Sequence, residues 1–157
     1  MGEEITIAES DLANFDPQQF AELIANSKDK QLSEIIHGPL RKQVLDEIFG
    51  RMAEHVEPSQ IAGLDTVDHF KILDRPEEHG GGYDHYEVIF ADGVCHASDS
   101  PGHNPQVTIK TSGVHFLKLA AGKASGPVLF MTGKLKLDGD VMLASRLTSF
   151  FRIPSAS

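Results

Sequence analysis

The spacing of apolar residues changes once along the chain, from a helical period to an alternating one. Between residues 16 and 57 apolar side chains recur every three or four positions, which is typical of amphipathic helices. An Asp followed by Pro at Asp16-Pro17 supplies an N-cap and a favoured first helical residue. The pattern predicts helices that begin near Asp16, Asp29 and Pro39, the last of them ending before Pro58.

From Thr66 onward apolar and polar residues alternate, which is typical of half-buried strands. In TVDHFKIL the alternation places Phe70 and Ile72 on one face, and the next segment, YDHYEVIFA, alternates in the same way. The Asp92-Gly93 dipeptide is a strong signal for a two-residue hairpin turn. The pattern predicts five strands, at residues 66–73, 83–91, 94–98, 106–111 and 134–138.

Two helices are predicted in the second half of the chain, one after each of the last two strands, and PVLFMT (127–132) between them is predicted to make a brief helical turn or two. Ser112 is a suitable N-cap for a helix that closes at Gly122, and Asp140 for the final helix. The element order predicts an α+β domain in which N-terminal helices precede a five-stranded mixed sheet, covered by helices on one face. We expect residues 1–15 to be a flexible segment and residues 16–154 to form a single domain.

Composition narrows the range of partners. The chain has 157 residues, of which 40% are hydrophobic and 24% charged, as in ordinary globular proteins. A formal net charge of -9 without any basic run argues against nucleic-acid binding. Cys95 is the single cysteine, which excludes an intrachain disulfide and a CxxC zinc site and favours a reducing compartment. No signal-peptide region or membrane-length apolar run is visible, so we expect a cytoplasmic protein without stable membrane insertion and without a cofactor.

The segment GPVLFMTGKLKLDGDVMLASRL (126–147) carries two apolar runs close together. One interpretation is core packing, because a helix that lies under a sheet needs one apolar stripe. The other interpretation starts from the last helix, where Val141 and Ala144 widen the apolar stripe. A terminal helix of that kind either is buried on several sides or lines a cavity. Periodicity alone favours core packing.

The same segment resembles the C-terminal signature of the sterol carrier protein type-2 family. DGVCHAS and PQVTIKTSGVHFLKLAAGK further upstream are similar to that family's third strand, fourth strand and following helix. The resemblance spans roughly residues 64–152, whereas the helical block at 16–57 is longer than in the minimal domain of the family. Thr132 stands where animal members commonly have Gln. The signature's apolar turn, Gly-Lys-Leu-Lys strand, polar-glycine turn and apolar helix are present here as Leu129–Thr132, Gly133–Leu137, Asp138–Asp140 and Val141–Leu147.

The resemblance implies a hydrophobic tunnel between the sheet and the C-terminal helices, with the last helix as a partial lid. Its ligand would be a sterol, a fatty acid, a fatty acyl-CoA or another lipid, bound and transferred within the cell without catalysis. Burial at about 0.8 kcal/mol per methylene gives a long acyl chain on the order of 10 kcal/mol before ordering costs. We expect the ligand to contact Phe116, Leu129, Phe130, Met131, Thr132, Leu135, Met142, Leu143, Leu147 and Phe150.

Three other interpretations stay open. An enzyme of the isomerase or cyclase type could use the same cavity, with Thr132, His115 or Tyr86 as its polar group. Alternatively, the chain could be a scaffold whose cavity is closed and whose N-terminal helices, residues 16–57, form a dimer or partner interface, and it could be a monomer or a homodimer. His69, His85 and Glu87 share one face of the first hairpin and could ligate zinc. We expect that face to be exposed to solvent, which argues against a metal site.

Overall fold

A computed structural model of the chain describes residues 17–146, except for the side chains of Pro17, Gln18, Phe20, Ala21 and Ala25. The expected flexible segment at residues 1–15 lies outside the described residues. Within the described part, no helix is both long enough and apolar enough to cross a membrane. The helices of the N-terminal block are α1 (Pro17–Asn26), α2 (Asp29–Ile36), α3 (Arg41–Glu54) and α4 (Pro58–Ile61).

The helical block differs from the sequence prediction at two boundaries. Helix α3 begins at Arg41 rather than Pro39, because a turn in which the Arg41 N–H donates to the Gly38 carbonyl (3.2 Å) precedes it. Helix α3 ends at Glu54, before Pro58 as predicted, but a further short helix that the sequence analysis did not predict follows it. Pro58 opens the short helix α4, in the first-turn position that proline favours, and Ile61 of that helix is buried in the core.

The five predicted strands form one mixed sheet. They are β1 (Thr66–Leu73), β2 (Asp84–Ala91), β3 (Val94–Ser98), β4 (Val107–Ser112) and β5 (Leu135–Gly139). Their order across the sheet is β3-β2-β1-β4-β5, with β1 and β4 parallel and the other neighbours antiparallel. This arrangement confirms the predicted α+β class. The remaining helices are α5 (Gly113–Ala120), α6 (Gly126–Met131) and α7 (Val141–Arg146).

One face of the sheet, called the inner face below, packs against helices. Phe70 lies opposite Tyr86 on β2 and Ile109 on β4, so these side chains share that face. Phe49 of α3 stacks on Tyr86 with 4.1 Å between ring centroids and on Phe116 of α5 with 5.0 Å. Such ring pairs add to the stabilisation from burial alone. The aromatic cluster therefore joins α3, the sheet and α5 into one core.

Arg41 connects the helical block to the sheet through buried polar contacts. Its side chain is 1% exposed, and its Nε donates to Asp84 Oδ2 at 2.8 Å. Its Nη2 donates to the carbonyls of Ile72 and Leu73, each at 2.9 Å, at the end of β1. A fourth bond runs from its Nη1 to the Ile36 carbonyl at 3.2 Å. The planar guanidinium suits this use because it can serve several acceptors at once.

The opposite face of the sheet, called the outer face below, differs from the sequence prediction at its centre. We expected His69, His85 and Glu87 to be exposed there, but His69 is 6% and Glu87 2% exposed. The loop after β3 covers Glu87, because the N–H groups of Gly102 and His103 donate to its Oε2 at 3.1 and 2.9 Å. His69 Nε2 donates to the same oxygen at 2.9 Å, which leaves its Nδ1 to accept from His85 at 2.8 Å.

These contacts also bear on the zinc interpretation. The histidines and Glu87 bond to one another and to the covering loop, and within residues 17–146 no group of three His, Cys, Asp or Glu side chains is arranged to hold a metal ion. Burial alone would raise the pKa of Glu87, but the hydrogen bonds from His103, His69 and Gly102 lower it to about 2. Glu87 is therefore a buried, ionised hydrogen-bond acceptor that holds the loop after β3 in place.

Candidate functional site

The predicted ligand-contacting residues divide into a buried and an exposed set. Leu147 and Phe150 lie outside the described residues, so their contacts stay a prediction. Thr132 is exposed, and its hydroxyl donates to the Val128 carbonyl at 2.9 Å. The buried members are Phe116, Leu129, Leu135 and Leu143, and the exposed apolar members are Phe130, Met131 and Met142.

An apolar surface covers the two short helices on either side of β5. Of the seven large apolar side chains that are exposed among the described residues, five lie on these helices. Met131 is 84% and Met142 is 75% exposed. Exposed apolar side chains that are grouped rather than scattered singly mark interaction or ligand sites. The α6–α7 patch, as it is called below, consists of Val128, Phe130, Met131, Val141 and Met142.

Local sequence explains why these helices leave their apolar side chains outside. Within the described residues each helix buries one apolar side chain deeply, Leu129 in α6 and Leu143 in α7. The Ser125 hydroxyl caps α6 by accepting from the Val128 N–H at 3.3 Å. The other large apolar residues of these helices, Val128, Phe130, Met131, Val141 and Met142, are exposed. The patch therefore follows from helices that are more apolar than their buried side requires.

The start of α7 is fixed to the edge of the sheet. The Asp140 carboxylate caps the helix by accepting from the Leu143 N–H at 3.0 Å, and the Asp140 N–H donates to the Gln106 carbonyl at 2.8 Å. Gly139 has a φ of +101°, and an added Cβ would lie 2.3 Å from the Gln106 carbonyl oxygen. The connection from β5 to α7 therefore requires glycine. Helix α7 is anchored at its N-terminus, beside β4.

Sequence reasoning missed one polar group on the inner face. Asp68 is fully buried, and neither of its carboxylate oxygens has a hydrogen-bond partner within residues 17–146. Thr66, two residues earlier on the same face, also has a buried hydroxyl without a partner there. Burial, with a smaller contribution from the Asp140 carboxylate, raises the pKa of Asp68 to about 7. The signal was present in the sequence, because Asp68 precedes Phe70 and Ile72 in the alternating pattern.

The three residues considered for an enzymatic role are engaged within the protein. Besides Thr132, described above, the Tyr86 hydroxyl donates to Asp46 Oδ1 at 2.6 Å. The Nδ1 atom of His115 lies 2.8 Å from the Ser112 hydroxyl at the start of α5. Burial, with Lys134 and Lys118 nearby, lowers the pKa of His115. Each of these groups has a local partner that accounts for its position.

The described residues form a small α+β domain. It consists of a mixed sheet with a helical layer and of two helices, beside the last strand, that expose apolar side chains. The chain belongs to the SCP-2 sterol transfer family, because a model of that family matches residues 45–152. This match confirms the resemblance found in the sequence. It includes all the predicted ligand-contacting residues.

Two sequence relatives match a part of the chain. A fatty acid-binding protein of Yarrowia lipolytica is 40% identical over 59 residues, which are 38% of this chain and 46% of the relative. The oleate-induced peroxisomal protein POX18 of Candida maltosa is 42% identical over 53 residues, 34% of this chain and 40% of the relative. The matches thus span less than half the length of each relative.

Solved structures show the same fold at low sequence identity. The sterol carrier protein domain 2 of Helicoverpa armigera has a TM-score of 0.55 and 22% identity, with 72% of this chain and 85% of that chain covered. The sec-alkylsulfatase Pisa1 of a Pseudomonas species has a TM-score of 0.58 and 20% identity, covering 75% of this chain but 17% of the enzyme. The similarity to the sulfatase is therefore a similarity of one part of that enzyme.

Proposed function

We propose that this domain binds a long-chain hydrophobic lipid between the inner face of the sheet and helices α5 to α7, and that it carries this lipid between sites in the cell. The observation that carries the proposal is the α6–α7 patch, which exposes five large apolar side chains beside the buried Leu129 and Leu143. Membership in the SCP-2 sterol transfer family supports it. The name of the Yarrowia lipolytica fatty acid-binding protein favours an acyl-chain ligand.

The proposed route into the protein passes under α7. This helix is anchored at Asp140, where its N-terminus meets the Gln106 carbonyl, and Leu143 is the side chain that it buries. Among the described residues, displacing the helix uncovers Leu143, which costs about 2 kcal/mol, whereas a long acyl chain gains several times as much. Met131 and Met142 then turn from solvent toward the ligand, and methionine suits such repacking because its side chain is unbranched.

We propose binding and transfer, rather than catalysis, as the activity. The local partners of Thr132, His115 and Tyr86 support this choice, because a catalytic group must be free to meet its substrate. A domain that only binds should release every lipid chemically unchanged. Mass spectrometry of lipids recovered after incubation tests this point, and a modified lipid would argue for an enzyme.

The binding proposal can be tested with Nile red, a neutral dye that fluoresces in apolar surroundings, and with mass spectrometry of lipids that co-purify with the protein. We expect Met142→Glu and Met131→Glu each to weaken dye binding about tenfold, because each removes roughly 1.5 kcal/mol of apolar contact. Both side chains are exposed, so the free energy of unfolding should change by less than about 0.5 kcal/mol.

Val94→Glu is the matched control for these variants. Val94 is also an exposed apolar residue, at 62%, but it lies on β3, at the edge of the sheet opposite β5. It should leave dye binding unchanged. If the wild-type chain binds no dye and no lipid, or if Val94→Glu weakens binding as much as Met142→Glu, the proposed site is wrong.

We also propose that residues 16–154 form one domain and that the protein works in the cytoplasm. The core that joins α3, the sheet and α5 supports the first point. The single cysteine supports the second, whereas the peroxisomal relative in Candida maltosa favours another location. Limited proteolysis tests the domain extent, and microscopy of the tagged protein beside a peroxisomal marker tests the location.

A further inference from the structure

We propose that Asp68, together with Thr66, recognises the polar head of the bound lipid, and that the preferred head is an uncharged hydroxyl group, as in a long-chain alcohol or a sterol. The inference rests on the proposed function, since it places the head of the ligand within the same site. It concerns two side chains on the inner face that the predicted set of apolar contacts does not include. In both side chains, buried polar atoms have no hydrogen-bond partner among the described residues.

The lack of partners is the first observation. Both oxygens of Asp68 and the hydroxyl of Thr66 are buried and unpaired within residues 17–146. Buried polar groups in native proteins nearly always have a partner, so each unpaired group calls for an explanation such as a ligand or an ordered water. Three unpaired atoms on two neighbouring positions of the inner face indicate a binding site for a polar group of the ligand. The rest of this inner face is largely apolar.

The second observation is the position of Asp68 relative to α7. In the sheet register Asp68 pairs with Val107, and Val107 pairs with Gly139, the residue before Asp140. These positions form a row across β1, β4 and β5 that ends at the start of α7. A lipid that enters under α7 therefore reaches Asp68 with its leading end. Its chain would then extend toward the α6–α7 patch.

The charges around Asp68 determine which heads can bind. Among the described residues, the ionisable groups that interact with it are the Asp140 carboxylate at the start of α7 and the Cys95 thiol of β3. Burial and the nearby Asp68 raise the pKa of Cys95 to about 12, so the thiol is neutral at ordinary pH. No cation is among the described groups that interact with Asp68, so an anionic phosphate or carboxylate head would be repelled by its ionised form.

A hydroxyl head fits both protonation states of Asp68. A hydroxyl can donate to an ionised carboxylate and can accept from a protonated one, and the Thr66 hydroxyl can supply the complementary bond. A fatty acid in its ionised form can accept only from the protonated carboxyl. The site should therefore bind alcohols at any pH near neutrality, whereas it should bind fatty acids less well as Asp68 ionises.

The test is competition against Nile red by four ligands: hexadecane, 1-hexadecanol, cholesterol and palmitate, with the full chain at pH 6 and pH 8.5. For Asp68→Val we expect hexadecanol to bind about tenfold more weakly relative to hexadecane than in the wild type, because the hydroxyl loses its buried partner. Cholesterol shows whether a sterol presents its hydroxyl in the same way. Palmitate should bind the wild type at least fivefold more weakly at pH 8.5 than at pH 6.

Asp68→Asn keeps the size of the side chain and removes the titration. It should bind hexadecanol nearly as the wild type does, and its palmitate affinity should not fall between the two pH values. This variant decides the question if Asp68→Val does not fold. The inference is overturned if hexadecane and the dye bind but Asp68→Val leaves the affinity of hexadecanol relative to hexadecane unchanged, or if the palmitate affinity of Asp68→Asn falls between pH 6 and pH 8.5 as much as that of the wild type. Failure of the wild type to bind dye or hexadecane overturns the proposed function itself.

Discussion

Asp68→Asn should remove a pH dependence of stability that the wild-type chain carries through one buried carboxyl. The folded protein raises the pKa of Asp68 from its ordinary value of 3.8 to about 7. Between these two pH values the folded state binds more protons than the unfolded state, so the contribution of Asp68 to the free energy of unfolding falls as pH rises. At about 1.36 kcal/mol for each unit of pKa, the total loss between pH 4 and pH 8 is about 4 kcal/mol. The side chain is fully buried, so solvent screening does not reduce this figure much.

The measurement is urea unfolding followed by circular dichroism at several pH values for both proteins, since the chain has no tryptophan. The two should have similar stability near pH 4, and the Asn variant should be more stable by about 4 kcal/mol near pH 8. His85 and His115, whose pKa values are lowered by burial first and then by nearby positive charge, contribute equally to both proteins and cancel in the difference. If the two stability curves stay parallel from pH 4 to pH 8, Asp68 is not a buried carboxyl of this kind.

Three further perturbations follow from the structure and can be measured by the same unfolding assay. Glu87→Gln should lower the free energy of unfolding by about 2–3 kcal/mol at pH 7, because an ionised acceptor of buried hydrogen bonds is lost. Since the pKa of Glu87 is lowered to about 2, the difference in stability between the variant and the wild type should shrink as pH falls from 4.5 toward 2. A difference that stays constant over this range would contradict the prediction. Gly139→Ala should cost at least about 2 kcal/mol, because its φ is +101° and the new Cβ meets the Gln106 carbonyl oxygen at 2.3 Å, whereas Gly126→Ala, which meets nothing within 4 Å, should be near neutral. Phe49→Ala should cost about 3–5 kcal/mol through the cavity left between α3, the sheet and α5, and a cost below 1 kcal/mol would show that this aromatic cluster is not the centre of the core.

Much of the fold could be predicted from the sequence because local chemistry determines it. The alternating segments became strands, and Asp92 and Gly93 adopt the positive φ values, 55° and 76°, that a tight hairpin turn needs. Ser112 caps α5 as expected, through a bond from the His115 N–H at 3.3 Å. Each of these features depends on residues close together in the chain.

The candidate site was less predictable because distant segments build it. Alternation assigned His69 and Glu87 to the outer face but could not show that a loop beginning some ten residues after Glu87 would cover them. The helical period could not distinguish apolar residues that pack inward from those that stay exposed, such as Met131 and Met142. Asp68 was assigned a position but not a role, since nothing in a sequence states whether a buried carboxyl finds a partner.

The bonds of Arg41 have a consequence for how this protein folds and how it can be shortened. The family match begins at residue 45, so a fragment cut at that boundary would lose Arg41, its bond to the buried Asp84 and its bonds to the carbonyls of Ile72 and Leu73. Losing one member of a buried ion pair costs about 3–5 kcal/mol, a large part of the stability of a typical domain. The helices before the sheet are therefore not an appendage, and the two parts should melt in a single cooperative transition.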